Sequence, residues 1–336
     1  MVSLSEVQQS NSSAASVHPP GLVAIFAGAT AGIGETALKA FAKHTVQPKI
    51  YFIGRSQEAG ERLQTELKAL NSEGEYIFIK EDMSLLKNVD RVCEDIKSKE
   101  SAVNVLFMSQ GTLKYGVDTA EGFPLITGLT IYSRNRLAAN LLPLLQKAPS
   151  LRRVVTVMAG TKEGQFFIED VADRNLAARI SSARGHMTTA LTLSLEALAR
   201  QAPEVSFIHN FPGAVDTDLI RKDDGFMMQV AKQIFRLGFT IRGKWVPKDE
   251  CGERHAWLCL SERFPAKQDG EKEGAVIAVG ADGKNGSGVY SVDWDGESAS
   301  DEVVKLLDGY REDGMVDKLW KHMEDEFVRV TGSASA

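Results

Sequence analysis

Six short apolar runs most constrain how this chain can fold: "LVAIFAG" (22–28), "KIYFIGR" (49–55), "EYIFIKED" (75–82), "VNVLFMSQG" (103–111), "RRVVTVMAG" (152–160) and "VSFIHNFPG" (205–213). Most are continuous rather than alternating, as expected of strands covered on both faces. Between them, "GETALKAFAKH" and "GERLQTELKALN" carry apolar residues at three- and four-residue spacing, which predicts helices. Strands that alternate with helices are joined by crossovers, so the expected fold is α/β: a doubly wound parallel sheet in three layers, α/β/α. After residue 217 the pattern loosens. It runs through "DGFMMQVAKQIFRLGFTIRGKW" and a Gly-rich hairpin candidate, "GADGKNGSGVYSVDWDGE", to a helix candidate over about 301–330.

At 336 residues and 43% hydrophobic, the chain can bury one large core. We expect residues 1–20 to be a flexible leader and 21–336 one domain, with a C-terminal extension over about 265–336. The net charge of −6 supplies no basic field for a phosphate backbone, which argues against nucleic acid as partner. Cys93, Cys251 and Cys259 form no CxxC pair, so neither a disulfide framework nor a metal site is expected, and a reducing, cytoplasmic location follows. No run reaches the roughly 18 apolar residues of a membrane span, and "MVSLSEVQQSNSSAASVHPPG" lacks the basic and apolar regions of a signal peptide.

The first strand runs directly into "GATAGIGE", placing Gly28, Gly32 and Gly34 at a strand-to-helix turn. Backbone stripped of side chains can approach a pyrophosphate there, and the helix beyond offers unpaired N–H groups to its charge. The GxxxGxG spacing resembles the short-chain dehydrogenase/reductase family, whose Rossmann-type sheet matches the fold expected from the runs. That resemblance implies a nicotinamide cofactor at Gly28, Thr30, Gly32, Ile33 and Gly34. In "IGRS", Arg55 with Ser56 stands where NAD-preferring members carry an acid, which implies NADPH/NADP+, because a guanidinium can fork onto a 2′-phosphate. Asp82 and Met83 in "EDMS" resemble the pair beside adenine. Gln110 and Gly111 in "SQG" stand at the family's Asn-Ala-Gly turn, and Pro212, Gly213 and Thr217 in "PGAVDTD" match the turn near the nicotinamide.

The family's ketone reducers also need a serine after the fifth strand, a tyrosine that donates a proton and a lysine four residues later. Hydride attack on a neutral carbonyl develops an alkoxide that must be protonated or held. Here Ala159 falls at the serine position, no tyrosine occurs between Tyr132 and Tyr290, and no lysine between Lys162 and Lys222. The tyrosine position falls near Ser181 or Ser182 and the lysine position between Gly185 and Thr188, a window that includes His186. An iminium or otherwise activated acceptor needs no such acid, since hydride neutralises the cation. In "YSRNRLAANLLPLL", "VMAGTKEG", "GHMTTALTLSLEALA" and "GVYSVDWDG" the chain resembles atypical fungal reductases of secondary metabolism, including the NADPH-dependent reductase and Diels–Alderase type. That likeness implies active-site roles for Arg134 and Asp170, with Glu169 competing for the acid's place and His186 a candidate cation.

The leading expectation is an NADPH-dependent oxidoreductase acting on a bulky hydrophobic small molecule. The alternatives are a redox-neutral isomerase or cyclase, or a binding protein without catalysis. Met and Phe in "FMMQVAKQIFRLGF" suggest a substrate lid over about 220–246 or a homodimer contact.

Overall fold

The computed structural model describes residues 1–175, 181–215, 245–270 and 276–335. All six apolar runs are strands: β1 (Val23–Ala27), β2 (Lys49–Gly54), β3 (Glu75–Lys80), β4 (Val105–Met108), β5 (Arg153–Val157) and β6 (Ser206–Asn210). With β9 (Val289–Val292) they form a seven-stranded sheet in the order β3-β2-β1-β4-β5-β6-β9, every pairing parallel. β7 (Ala214–Val215) and β8 (Trp245–Val246) make a separate two-stranded pair.

Side chains along each strand alternate between two cores. Ile25, Tyr51, Leu106, Val154 and Phe207 enter one, beside α4 (Leu86–Lys99), α6 (Ser133–Gln146) and α7 (Ala183–Gln201). Ala24, Phe26, Phe52, Phe107 and Ile208 enter the other, beside α2 (Gly32–His44), α3 (Gln57–Leu70) and α8 (Lys248–Leu260). Both sheet faces are therefore buried, which explains why the strand sequences are continuously apolar. A three-residue helix, α5 (Leu125–Thr127), and a π-turn over Gly128–Tyr132 lead into α6.

Three expectations differ from the structure. Residues 4–17, expected to lie in a loose leader, form α1 (Leu4–Val17), started by a Ser3/Glu6 capping box and held by buried Val7, Asn11 and Ala14. The Ser/Gln-rich composition hid a helix whose buried side chains, Val7, Asn11 and Ala14, share one side, and α1 packs on α8. The hairpin candidate instead supplies β9, which pairs in parallel with β6. The single C-terminal helix candidate is two, α9 (Asp301–Glu312) and α10 (Met315–Thr331), because Gly314 at φ +70° breaks the helical path. α10 packs on α7 and α4. The lid candidate over 220–246 lies almost wholly outside the described residues.

Candidate functional site

Parallel strands all present their C-terminal ends at one edge of the sheet, and a crevice opens there where β1 and β4 send their connections to opposite faces. In this chain it is a cavity of about 720 Å³. Gly28, Thr30, Gly32, Ile33, Gly34, Arg55, Ser56, Asp82, Met83, Gln110, Gly111 and Pro212 all line it. Gly213 sits just behind, packed on Val246 and Trp294. Thr217 lies outside the described residues.

The glycine turn fits a dinucleotide by close approach of backbone. At Gly28, φ is +78° and a Cβ would lie 2.5 Å from the Gln110 backbone nitrogen; at Gly34 it would lie 2.5 Å from the Gly28 carbonyl oxygen. The N-cap of α2, Ala31, has no side chain able to satisfy the first N–H groups of the helix, so they remain available to phosphate oxygens. Arg55 is exposed and forms no ion pair among the described residues, beside the start of α3, where the Ser56 hydroxyl accepts from the Ala59 N–H at 3.2 Å. Asp82 accepts from the Ser84 N–H at 3.0 Å, so its turn is fixed before any ligand binds.

Beyond β4 and β5 the lining changes character. Arg134, on α6, is 2% exposed. Its Nη1 donates to Thr156 Oγ1 and to the Val157 carbonyl, each at 2.8 Å, and its Nη2 donates to the Gln110 carbonyl at 2.5 Å. Three of five guanidinium N–H groups are thus spent on tying β4 to β5. Nε has no partner, and one Nη2 hydrogen is left over. Burial pushes the Arg134 pKa down to about 9, which still leaves it a cation at neutral pH. The buried Gln110 Oε1 also lacks a partner.

At the turn after β5, Ala159, expected at the serine position, lines the cavity. Behind it runs a one-way chain of hydrogen bonds. The Ala159 N–H donates to His209 Nε2 at 3.3 Å, which puts the ring proton on Nδ1, facing Thr192 Oγ1 at 2.8 Å. The Thr192 and Ser291 hydroxyls donate to Glu163 Oε1 at 2.7 and 2.6 Å, and Ser291 Oγ accepts from the Thr161 N–H at 2.6 Å. Burial holds His209 down to about 3, helped by Arg134, so it stays neutral. Burial raises Glu163. The turn is therefore clamped at two backbone positions by groups outside the cavity.

On α7, Ala183, Arg184 and Met187 face the cavity. Gly185, in the lysine window, cannot carry a side chain here: a Cβ would lie 2.8 Å from Gly164 Cα. Within that window Met187 lines the cavity, while Gly185 turns to the loop after β5.

Two of the three expected catalytic residues lie elsewhere. His186 is fully buried; its ring stacks on Phe166 at 5.3 Å and its Nδ1 accepts from the Phe167 N–H at 3.2 Å. Asp170 closes a turn, accepting from the backbone of Arg174 at 2.9 Å and of Asn175 at 3.1 Å. Neither lines the cavity. The buried acid nearer the site is Asp173, 4% exposed at φ +52°, in an adjoining chamber of about 240 Å³ that shares Tyr115, Ile126 and Met187 with the main cavity. Lys114, Asp118 and Arg174 line that chamber too, so its charges balance. Sequence reading missed Asp173 and Arg184. A basic residue in the first turn of a helix without acids was the available signal for the second.

Comparison with known proteins agrees with this geometry. The short chain dehydrogenase family profile matches residues 22–123. An oxidoreductase of Emericella variicolor, andH, is 35% identical over 99% of both chains. The NmrA-like family domain-containing oxidoreductase notO of an Aspergillus species is 36% identical over 98% of this chain and 96% of its own. Among solved structures, L-sorbose reductase from Gluconobacter frateurii, complexed with NADPH and L-sorbose, aligns with TM-score 0.55 at 18% identity, over 72% of this chain and 90% of that one. No described helix is long and apolar enough to cross a membrane. With near-full-length relatives, the family's glycine turn at the end of β1 and its parallel sheet, this chain belongs to the short-chain dehydrogenase/reductase family.

Proposed function

We propose that the protein is an NADPH-dependent reductase of fungal secondary metabolism, acting on a conjugated or otherwise activated carbonyl of a bulky, largely apolar substrate. The observation that carries this reading is Arg134: a buried cation with two unspent N–H groups, in a cavity that offers no serine, tyrosine or lysine at the family's acid positions. The bound nicotinamide would supply the hydride. Gly28 to Gly34 would hold its pyrophosphate, and Arg55 with the start of α3 its 2′-phosphate. Arg134 would hold the oxygen that gains the electron pair as hydride reaches carbon, and its rigid placement lowers the cost of forming that charge. A conjugated acceptor suits this arrangement, because the enolate formed is weakly basic and takes its proton from water after the transfer.

Of the acceptors that a missing phenol allows, the arginines favour one that becomes an oxyanion over one that starts as an iminium cation. Relatives named as oxidoreductases in Emericella and Aspergillus support the redox reading. The test pairs two measurements. NADPH fluorescence titration should show saturable binding. Stereospecifically deuterated NADPH with a panel of α,β-unsaturated carbonyls should then place one deuterium on the β-carbon. Product without label would replace this reading with the isomerase or cyclase, and absence of NADPH binding would remove both cofactor and hydride from it.

A further inference from the structure

Charged residues divide the main cavity into two ends. Under β2 and β3 stand Arg55, Glu81 and Asp82, cation and anions together. At the end formed by β4, β5 and α7 stand Arg134 and Arg184, with no carboxylate in the lining. The acid whose charge acts on Arg184, Asp293, is committed: its Oδ2 accepts from Lys162 Nζ at 2.7 Å and Thr161 Oγ1 at 3.2 Å, its Oδ1 from the Trp294 N–H at 2.7 Å. The Arg184 guanidinium lies over the Phe211 ring, 4.8 Å from its centroid, and makes no ion pair among the described residues. Lys162 sits over the same ring at 5.4 Å, so two cations share one aromatic platform while only Lys162 is ion-paired among the described residues.

The position is also unfavourable for a cation. Arg184 is in the first turn of a 19-residue helix with no acidic residue in that turn, and a positive charge there opposes the helix dipole. An arginine placed against the dipole, with no ion pair among the described residues, over an aromatic ring and at the wall of a cavity gains nothing obvious for the fold. An anion beside Arg184 would offset the opposition to the dipole, and a guanidinium presents a planar donor edge that suits two oxygens.

We propose that Arg184 is a specificity-determining residue that anchors a delocalised oxyanion of the substrate, a carboxylate or an acidic enol attached to an aromatic or polycyclic body. Resting on the reductase reading above, this narrows its substrate class to acidic hydrophobic molecules. Arg184 holds the permanent charge, and Arg134 remains free for the charge that develops.

The experiment uses matched probes on the full chain saturated with NADP+: naphthalene-2-carboxylate against naphthalene-2-carboxamide, and 4-hydroxycoumarin, an enolate at neutral pH, against coumarin. Calorimetry should show at least one anion binding tenfold or more tightly than its neutral partner. R184Q should collapse that ratio to within twofold while leaving NADP+ affinity unchanged, and R184K should restore part of it. Equal affinity within both pairs, binding of no probe, or a preference that survives R184Q overturns the proposal. So does a matching loss of NADP+ affinity in R184Q, which would make Arg184 a cofactor ligand. If the wild-type protein fails to bind NADP+, the reductase reading falls; the same probe ratios measured without cofactor then decide the role of Arg184 independently.

Discussion

The contact between Gly185 and Gly164 makes a prediction with an unusual sign. Gly185 lies in α7, where alanine ordinarily stabilises a helix by roughly 0.5–1 kcal/mol over glycine. Its Cβ, however, would meet Gly164 Cα at 2.8 Å and Gly164 N at 3.1 Å, both backbone atoms of a loop clamped through Thr189, whose Oγ1 accepts from the Gly164 N–H at 3.0 Å and donates to the Gly164 carbonyl at 2.8 Å. Neither side can yield by rotating a side chain, so overpacking costs about 1–3 kcal/mol. The net expectation for Gly185→Ala is a loss of about 1–2 kcal/mol. Gly309 in α9 is the control: a Cβ there meets nothing within 4 Å, so Gly309→Ala should gain roughly 0.5–1 kcal/mol. Urea unfolding of the two variants beside wild type reads both signs as opposite shifts of midpoint at constant slope. A Gly185→Ala midpoint at or above wild type would refute the claim that the backbones of α7 and Gly164 leave no room for a side chain.

Three further outcomes follow from single sites. Arg55→Gln should weaken NADPH binding about 10–100-fold, the worth of a charge-assisted bond, and leave NADH binding nearly unchanged; equal losses for both would remove Arg55 from the 2′-phosphate. Arg134→Lys keeps the charge but cannot make three fixed bonds, so turnover should fall at least tenfold with NADPH affinity within twofold; unchanged turnover would reject its role. Burial raises the Glu253 pKa, but bonds from His44, Asn11 and Lys43 outweigh it and hold the group at about 2. Because the folded value is depressed, Glu253 contributes stability above the unfolded value of 4.5, and loses it as pH falls from there toward 2, on the order of 3 kcal/mol in full. Glu253→Gln should therefore be less stable than wild type at pH 7, with the gap closing by pH 2 in urea midpoints; a pH-independent gap would point to lost packing alone.

Strand positions were legible because burial on both faces leaves a local trace: continuous apolar runs, five of the six reaching a glycine. The glycine turn was legible for a related reason, since close backbone approach permits only one residue type at Gly28. What stayed hidden depends on contacts between distant segments. His186 and Asp170 have residue types that suit catalysis, yet one is stacked between rings from the loop after β5 and the other closes a turn, and nothing in their immediate neighbours announces either. Arg184 and Asp173 became visible only when α7 and the loop before it were placed against the strand ends. α1 was masked by composition, because three buried side chains on one face suffice when Asn11 also donates to the Glu253 carbonyl at 2.8 Å and carboxylate at 2.7 Å.

The loop after β5 and the start of α7 are packed as one unit. Gly185 meets the backbone of Gly164, and Gly164 is held there by Thr189 on the same helix. The loop so placed carries Glu163 back to Thr192 and Ser291, and through His209 fixes the N–H of Ala159. Positive charge at this end of the cavity comes from Arg134 and Arg184, which reach it from α6 and from the start of α7. A phenol can donate a proton at neutral pH, and a guanidinium cannot. This end of the cavity is therefore suited to holding negative charge rather than quenching it, and the phenol that does line the cavity, Tyr115, reaches it from the loop after β4.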